Sequence, residues 1–242
     1  MSSNPLLKID VKEDALSQGR TMSVSGAINK TGILLAIVVF VAYYTWTICA
    51  QGFMDKAYML MIGGAIAGLI LAIIASFNPK SSPITAPAYA VCEGLVVGAI
   101  SYAYGQAFSG IVFNAIGITI LTLFSMLFLY KTGIIKAADK LRQIVFTATV
   151  AVAIFYLAGF IGSLMGHPMT IFNGGALGIG VSLLICGIAA FNFIMDFDFI
   201  ERGQENQLPE YFEWYGGFAL LVTLIWLYLE VLRLLAQLNS RD

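Results

Sequence analysis

From Thr31 onward the chain alternates long apolar runs with short polar breaks. Seven runs read as membrane-spanning helices, at about 33–50, 57–77, 84–104, 107–130, 143–165, 174–200 and 210–236. Each is close to the ~20 apolar residues that cross a bilayer as a helix. The breaks have turn chemistry. Gln51 to Lys56 separates the first two runs, Asn78-Pro79-Lys80-Ser81-Ser82-Pro83 the next two, and Gly105-Gln106 marks a tight third turn. Lys131 to Arg142 is the longest loop in mid-chain, and Gly166-His167-Pro168 divides runs five and six. Gly203 to Pro209 ends the sixth run, with Pro209 suited to a first helical turn. Residues 1–30 form a polar tail (Lys8, Asp10, Lys12, Glu13, Asp14, Arg20, Lys30) without the apolar core of a signal peptide. The pattern predicts that tail, a seven-helix domain over 31–237 and a short C-terminal tail over 238–242.

Composition makes the membrane reading firm. Of the residues, 59% are apolar and 11% charged, where soluble domains have about 45–50% and ~25%. The expected class is all-α, a polytopic integral membrane protein built as a seven-transmembrane-helix bundle and solvated by the lipid bilayer. A soluble enzyme is excluded. The net charge of −1 offers nucleic acid no basic field. Cys49, Cys92 and Cys186 lie in or beside apolar runs, without metal-ligand spacing. The one histidine, His167, is too few for a zinc or di-iron site. Gly180-Val181-Ser182 is a bare G-x-S with His167 at another depth, and span seven has no lysine to carry retinal. No enzyme activity and no cofactor are expected.

Lysine and arginine set the orientation. With the N-terminus in the cytoplasm, ten of the 13 basic residues fall inside, leaving Lys56, Arg233 and Arg241 outside. An odd number of spans then places the C-terminus outside. Gly64 and Gly68, Gly94 and Gly98, and Gly174 and Gly178 are spaced for close helix packing. Tyr43, Tyr44, Trp46, Trp214 and Tyr215 lie toward span ends, as interfacial aromatics do.

Ionisable groups inside spans are the candidates for function. Asp198 has Arg202 at i+4 and Glu230 has Arg233 at i+3, so local ion pairs can account for both. Asp196, Glu213 and Glu93 have no cation one turn away. Asp196 and Asp198 are two residues apart, about 200° around a helix, so only one of them faces inward. Asp196 precedes Gly203 and Glu213 follows Pro209, which places both roughly 6–11 Å from the same membrane face. Two nearby buried carboxylates titrate as a unit, because both cannot ionise cheaply.

At these residues the sequence resembles the bacterial branch of the Bax inhibitor-1 family, the transmembrane Bax inhibitor motif proteins. Phe77-Asn78-Pro79-Lys80 with Ala86-Pro87-Ala88-Tyr89-Ala90-Val91-Cys92-Glu93-Gly94 looks like its junction of spans two and three. Met195-Asp196-Phe197-Asp198-Phe199-Ile200-Glu201-Arg202-Gly203 looks like its sixth-span end. Glu213-Trp214-Tyr215, with Trp226-Leu227-Tyr228-Leu229-Glu230-Val231-Leu232-Arg233-Leu234-Leu235, looks like its seventh span. The resemblance implies seven helices with the last near the centre. It also implies a pH-sensitive calcium leak gated by an acidic pair from helices six and seven. Asp196 falls at the sixth-helix acid, with Met195 in place of the usual Tyr. For the seventh, letters favour Glu230, while anchoring on Leu232-Arg233-Leu234-Leu235 puts Thr223 there. Glu230 lies about 30 Å along helix seven, too far to meet Asp196, so depth selects Glu213. Lys80 resembles the basic position that latches the pair.

The expected function is therefore a pH-sensitive cation leak. Calcium is its favoured ion, because clustered carboxylates supply the oxygens calcium wants. Asp196 and Glu213 are the candidate ligands for Ca²⁺ or H⁺, and Glu93 lines the path. The alternative is a non-conducting stress or cell-death regulator that binds other membrane proteins. The expected location is a bacterial plasma membrane.

Overall fold

The structure is a computed structural model, and it describes residues 20–166 and 175–240. Lys8, Asp10, Lys12, Glu13, Asp14, His167, Pro168, Gly174 and Arg241 lie outside the described residues. Seven long helices make up the described chain: α1 (Val24–Ala50), α2 (Met54–Phe77), α3 (Ser82–Ala107), α4 (Ile111–Lys131), α5 (Asp139–Leu164), α6 (Gly175–Glu205) and α7 (Tyr211–Asn239). A 3-10 turn, Pro79–Ser81, leads into α3. All seven are long and apolar enough to cross a membrane. Among the described residues the one β feature is an isolated antiparallel bridge between Thr21 and Pro209. The protein is an all-α, seven-span membrane protein.

Three boundaries differ from the apolar pattern, each for a local reason. α1 starts at Val24 rather than near residue 33, because Ser23 is a true N-cap: its hydroxyl accepts the Gly26 N–H at 3.0 Å. Residues 24–30, read as tail, are helical. The third turn falls at Phe108–Gly110 rather than Gly105-Gln106, with Gly110 at φ 75° supplying the reversal. Gly203, read as the end of the sixth helix, lies inside α6. A side chain there would collide with the Met22 sulfur, so this glycine serves a close contact, and the reversal is made at Gln207, φ 53°.

The chain forms two compact units. The first is the described part of Met1–Tyr102 with Asp196–Val222, and the second that of Ala103–Met195 with Thr223–Asp242. In the first, glycines let helices approach. A Cβ on Gly94 of α3 would stand 2.6 Å from the Val41 Cβ of α1, and one on Gly64 of α2 would stand 2.8 Å from the Cys92 carbonyl of α3. Gly98 meets the Ala42 backbone in the same way. Ile48, Cys49 and Ala57 form a small core with Leu60, Ala99 and Tyr102 packed on it. Hydroxyls inside spans bond their own helices, as Thr31 to the Ala27 carbonyl, Thr45 to Val41 and Thr119 to Ala115. That satisfies them where no water is available.

Burial separates the helices. In its most apolar stretch α7 is 56% buried, against 11% for α5 and 44% at most for the rest. The other six present Phe40, Phe77, Ile84, Phe113, Phe146 and Leu184 outward, as lipid-facing surfaces do.

Candidate functional site

Glu213 stands in the first turn of α7 and is 6% exposed. Its partner is the start of α1. In a capping box the N-cap hydroxyl bonds the third helical N–H, and an acidic side chain at that third position reaches back to the cap's own N–H. Here the third position is Gly26, and the carboxylate comes from α7. Glu213 Oε1 accepts the Ser23 backbone N–H at 3.0 Å and the Ser23 hydroxyl at 2.8 Å. Any side chain on Gly26 would run into that carboxylate. The box is split between two helices, and the N-terminal ends of both favour negative charge at this point.

Asp196 lies in the same unit, partly buried on α6. Tyr215 of α7 interacts with it electrostatically and meets Phe199 edge-on at 5.4 Å. Two residues apart on α7, Glu213 and Tyr215 point about 200° apart, so Glu213 turns to α1 and Tyr215 to α6. Tyr215 packs on Phe218 at 6.3 Å, and Phe218 meets Tyr89 of α3 at 5.0 Å. Tyr89 shares a hydrogen bond with Glu93, one turn further along α3. The Glu93 carboxylate reaches the surface of α2 at Gly68, where a Cβ would stand 3.3 Å from its Oε1. Rings thus run without a break from the surroundings of Asp196 to those of Glu93.

The other candidates divide between the units. Asp198 pairs with Arg202, Nε to Oδ1 at 3.1 Å, with the arginine half exposed. Lys80 is exposed in the 3-10 turn before α3. Glu230 belongs to the second unit and is 2% exposed. Arg233 lies 3.1 Å from its Oε2, and the Tyr156 hydroxyl of α5 donates to its Oε1. Arg233 Nη1 donates to that same hydroxyl at 2.5 Å, with the guanidinium 5.1 Å from the ring centroid. Carboxylate, phenol and guanidinium close a triangle, with Tyr104 and Cys186 in electrostatic reach.

Ser23 and Tyr156 are absent from the sequence candidates, and Tyr89 and Tyr215 enter there only as motif and interfacial residues. The tyrosines carry a weak signal, as polar tips in apolar runs, whereas Ser23 carries none that points to Glu213. Among the described residues no three His, Cys, Asp or Glu side chains gather where they could hold a metal ion.

Comparison with known proteins finds a family model, Bax inhibitor 1 like, matching residues 4–240. No curated protein and no solved structure matches.

Proposed function

The chain belongs to the Bax inhibitor 1 like family, and from that premise we propose that it is a membrane leak for cations, calcium foremost, whose opening responds to protons taken up by acids of its sixth and seventh helices. The observation that carries the reading is a set of carboxyls inside membrane-spanning helices of one compact unit: Asp196, Glu213 and Glu93. Such groups are costly in a bilayer and serve ion or proton movement where they persist. In this reading Asp196 and Glu93 offer oxygens to a passing cation, which calcium prefers over other ligand types. Glu213 is the seventh-helix acid of the gate, and Lys80 supplies a counter-charge. Calcium is cargo, and no cofactor or enzymatic step is assigned.

The test is calcium efflux from liposomes loaded with an indicator dye, from pH 6 to 8. Wild-type protein is expected to conduct with a pH-dependent rate. Asp196→Asn and Glu213→Gln are each expected to flatten that dependence. Flux and pH profile unchanged in both variants overturn the assignment of the gate. No flux at any pH overturns the leak and favours a regulator that binds other membrane proteins.

A further inference from the structure

The segment just before α1 does more than enter the helix. Thr21 bridges to Pro209 in antiparallel register, and the Met22 N–H bonds the Leu208 carbonyl at 2.7 Å. Ser23 gives its N–H and its hydroxyl to Glu213, and the Val24 N–H bonds Gln204 Oε1 at 2.8 Å. Every backbone N–H from Met22 to Val24 is therefore held by the end of α6, the α6–α7 turn or the start of α7. Met22 is 2% exposed, and its sulfur and methyl occupy the space left by the missing side chains of Gly203 and Gly216.

We infer that residues 21–24 form a releasable strap, held by Glu213 across the α6–α7 turn, and that release of the strap is the movement through which Glu213 acts on the leak. Three features make it a strap rather than a strand. Among the described residues it is joined by a single isolated bridge with no ladder. Its two attachments at Ser23, the backbone N–H and the hydroxyl, converge on one carboxylate oxygen, so one group governs them together. And its buried anchor is one flexible, unbranched side chain seated on glycine. The hold also explains why Gly26 is glycine: the carboxylate that completes the cap must come from α7 for the first helix to be tied to the last. The second half of the inference rests on the leak reading.

Hydrogen exchange on the full-length protein tests the hold without needing flux. In Glu213→Gln the amides of Met22, Ser23 and Val24 are expected to exchange at least tenfold faster, while Glu230→Gln leaves them unchanged. Gly26→Glu/Glu213→Ala supplies a local capping carboxylate and removes the tie, so it should keep α1 helical yet exchange fast at Met22. Unchanged exchange at these amides in both Glu213 variants overturns the strap. Movement is tested by Thr21→Cys/Pro209→Cys with the three native cysteines replaced; directly opposed residues of an antiparallel bridge lie within disulfide reach. Oxidation is expected to suppress calcium flux at least fivefold and reductant to restore it. Equal flux in the two states overturns the strap as the moving part. If wild-type protein carries no flux at all, the leak reading fails with it, and exchange alone decides whether Glu213 holds the strap.

Discussion

A carboxylate as deeply buried as Glu230 persists because its partners surround it. Arg233 and the Tyr156 hydroxyl both bind it, and each also binds the other. Removing one member of such a set leaves a charge with its hydration gone and its counter-charge lost. Glu230→Leu is therefore expected to destabilise the protein by about 3 kcal/mol, seen as a lower thermal midpoint in detergent. Glu230→Leu/Arg233→Leu should recover most of that loss, since an apolar pair of similar size fits an apolar site. Tyr156→Phe, which removes one hydroxyl, should lose about 1–2 kcal/mol. A double variant no more stable than Glu230→Leu alone would mean that Arg233 has a better use than this carboxylate. The half of the triangle within one helix was legible, because i+3 spacing predicts the Glu230–Arg233 pair. The Tyr156 half was not, since that residue lies 74 positions away. Glu213 repeats the lesson at greater range. Its place in the first turn of α7 was readable from its spacing after Pro209, yet its partner Ser23 is 190 positions away. Periodicity carries no information about which helix faces it.

Among elements, helix contacts depend on which glycine is on the facing side. Gly63 and Gly64 are adjacent on α2, about 100° apart, and meet different surroundings. Nothing stands within 4 Å of a Cβ on Gly63, whereas one on Gly64 would stand 2.8 Å from the Cys92 carbonyl. Gly63→Ala should therefore be neutral or stabilising by about 0.5–1 kcal/mol, through helix propensity. Gly64→Ala must push a backbone carbonyl aside and should cost about 1–3 kcal/mol. Thermal midpoints of the two variants in one detergent decide it; equal midpoints would remove the α2–α3 contact. The sequence located all seven helices, because an apolar run of span length has few other fates. Their ends were less legible. Ser23 lies among polar residues that hydropathy cannot separate from a tail, and Gly203 reads as a breaker until Met22 is known to pack on it. Hydropathy measures the membrane's demand on a helix; caps and close contacts extend helices beyond it.

For the molecule as a whole, the direction of the seven spans decides which side of the membrane the strap faces. An odd number places the termini on opposite faces, and the basic residues near the span ends choose between the two orientations. Arg20 and Lys30 flank the start of α1, and Lys131, Lys136, Lys140 and Arg142 crowd the α4–α5 junction, an even number of spans away and so expected on the same side of a membrane that each helix crosses once. The opposite face has Lys56 and Arg233 among the described residues, and Arg233 is already bound to Glu230. By the positive-inside rule this distribution is expected to orient the N-terminus to the cytoplasm and the C-terminus to the outside, an orientation that would bring the strap, the α6–α7 turn and Lys80 to the cytoplasmic face. A proton signal that acts through Glu213 would then be read from the cytoplasm. Fusions of alkaline phosphatase and of green fluorescent protein after Asn239 test this in a bacterial host. The phosphatase fusion should be active and the fluorescent one dark. Replacing Lys136, Lys140 and Arg142 together with Gln should raise the fraction of inverted molecules, since it removes three of the four basic charges in that stretch. A fluorescent C-terminal fusion with an inactive phosphatase would reverse the orientation and move the strap to the outer face, where cytoplasmic pH could not reach it directly.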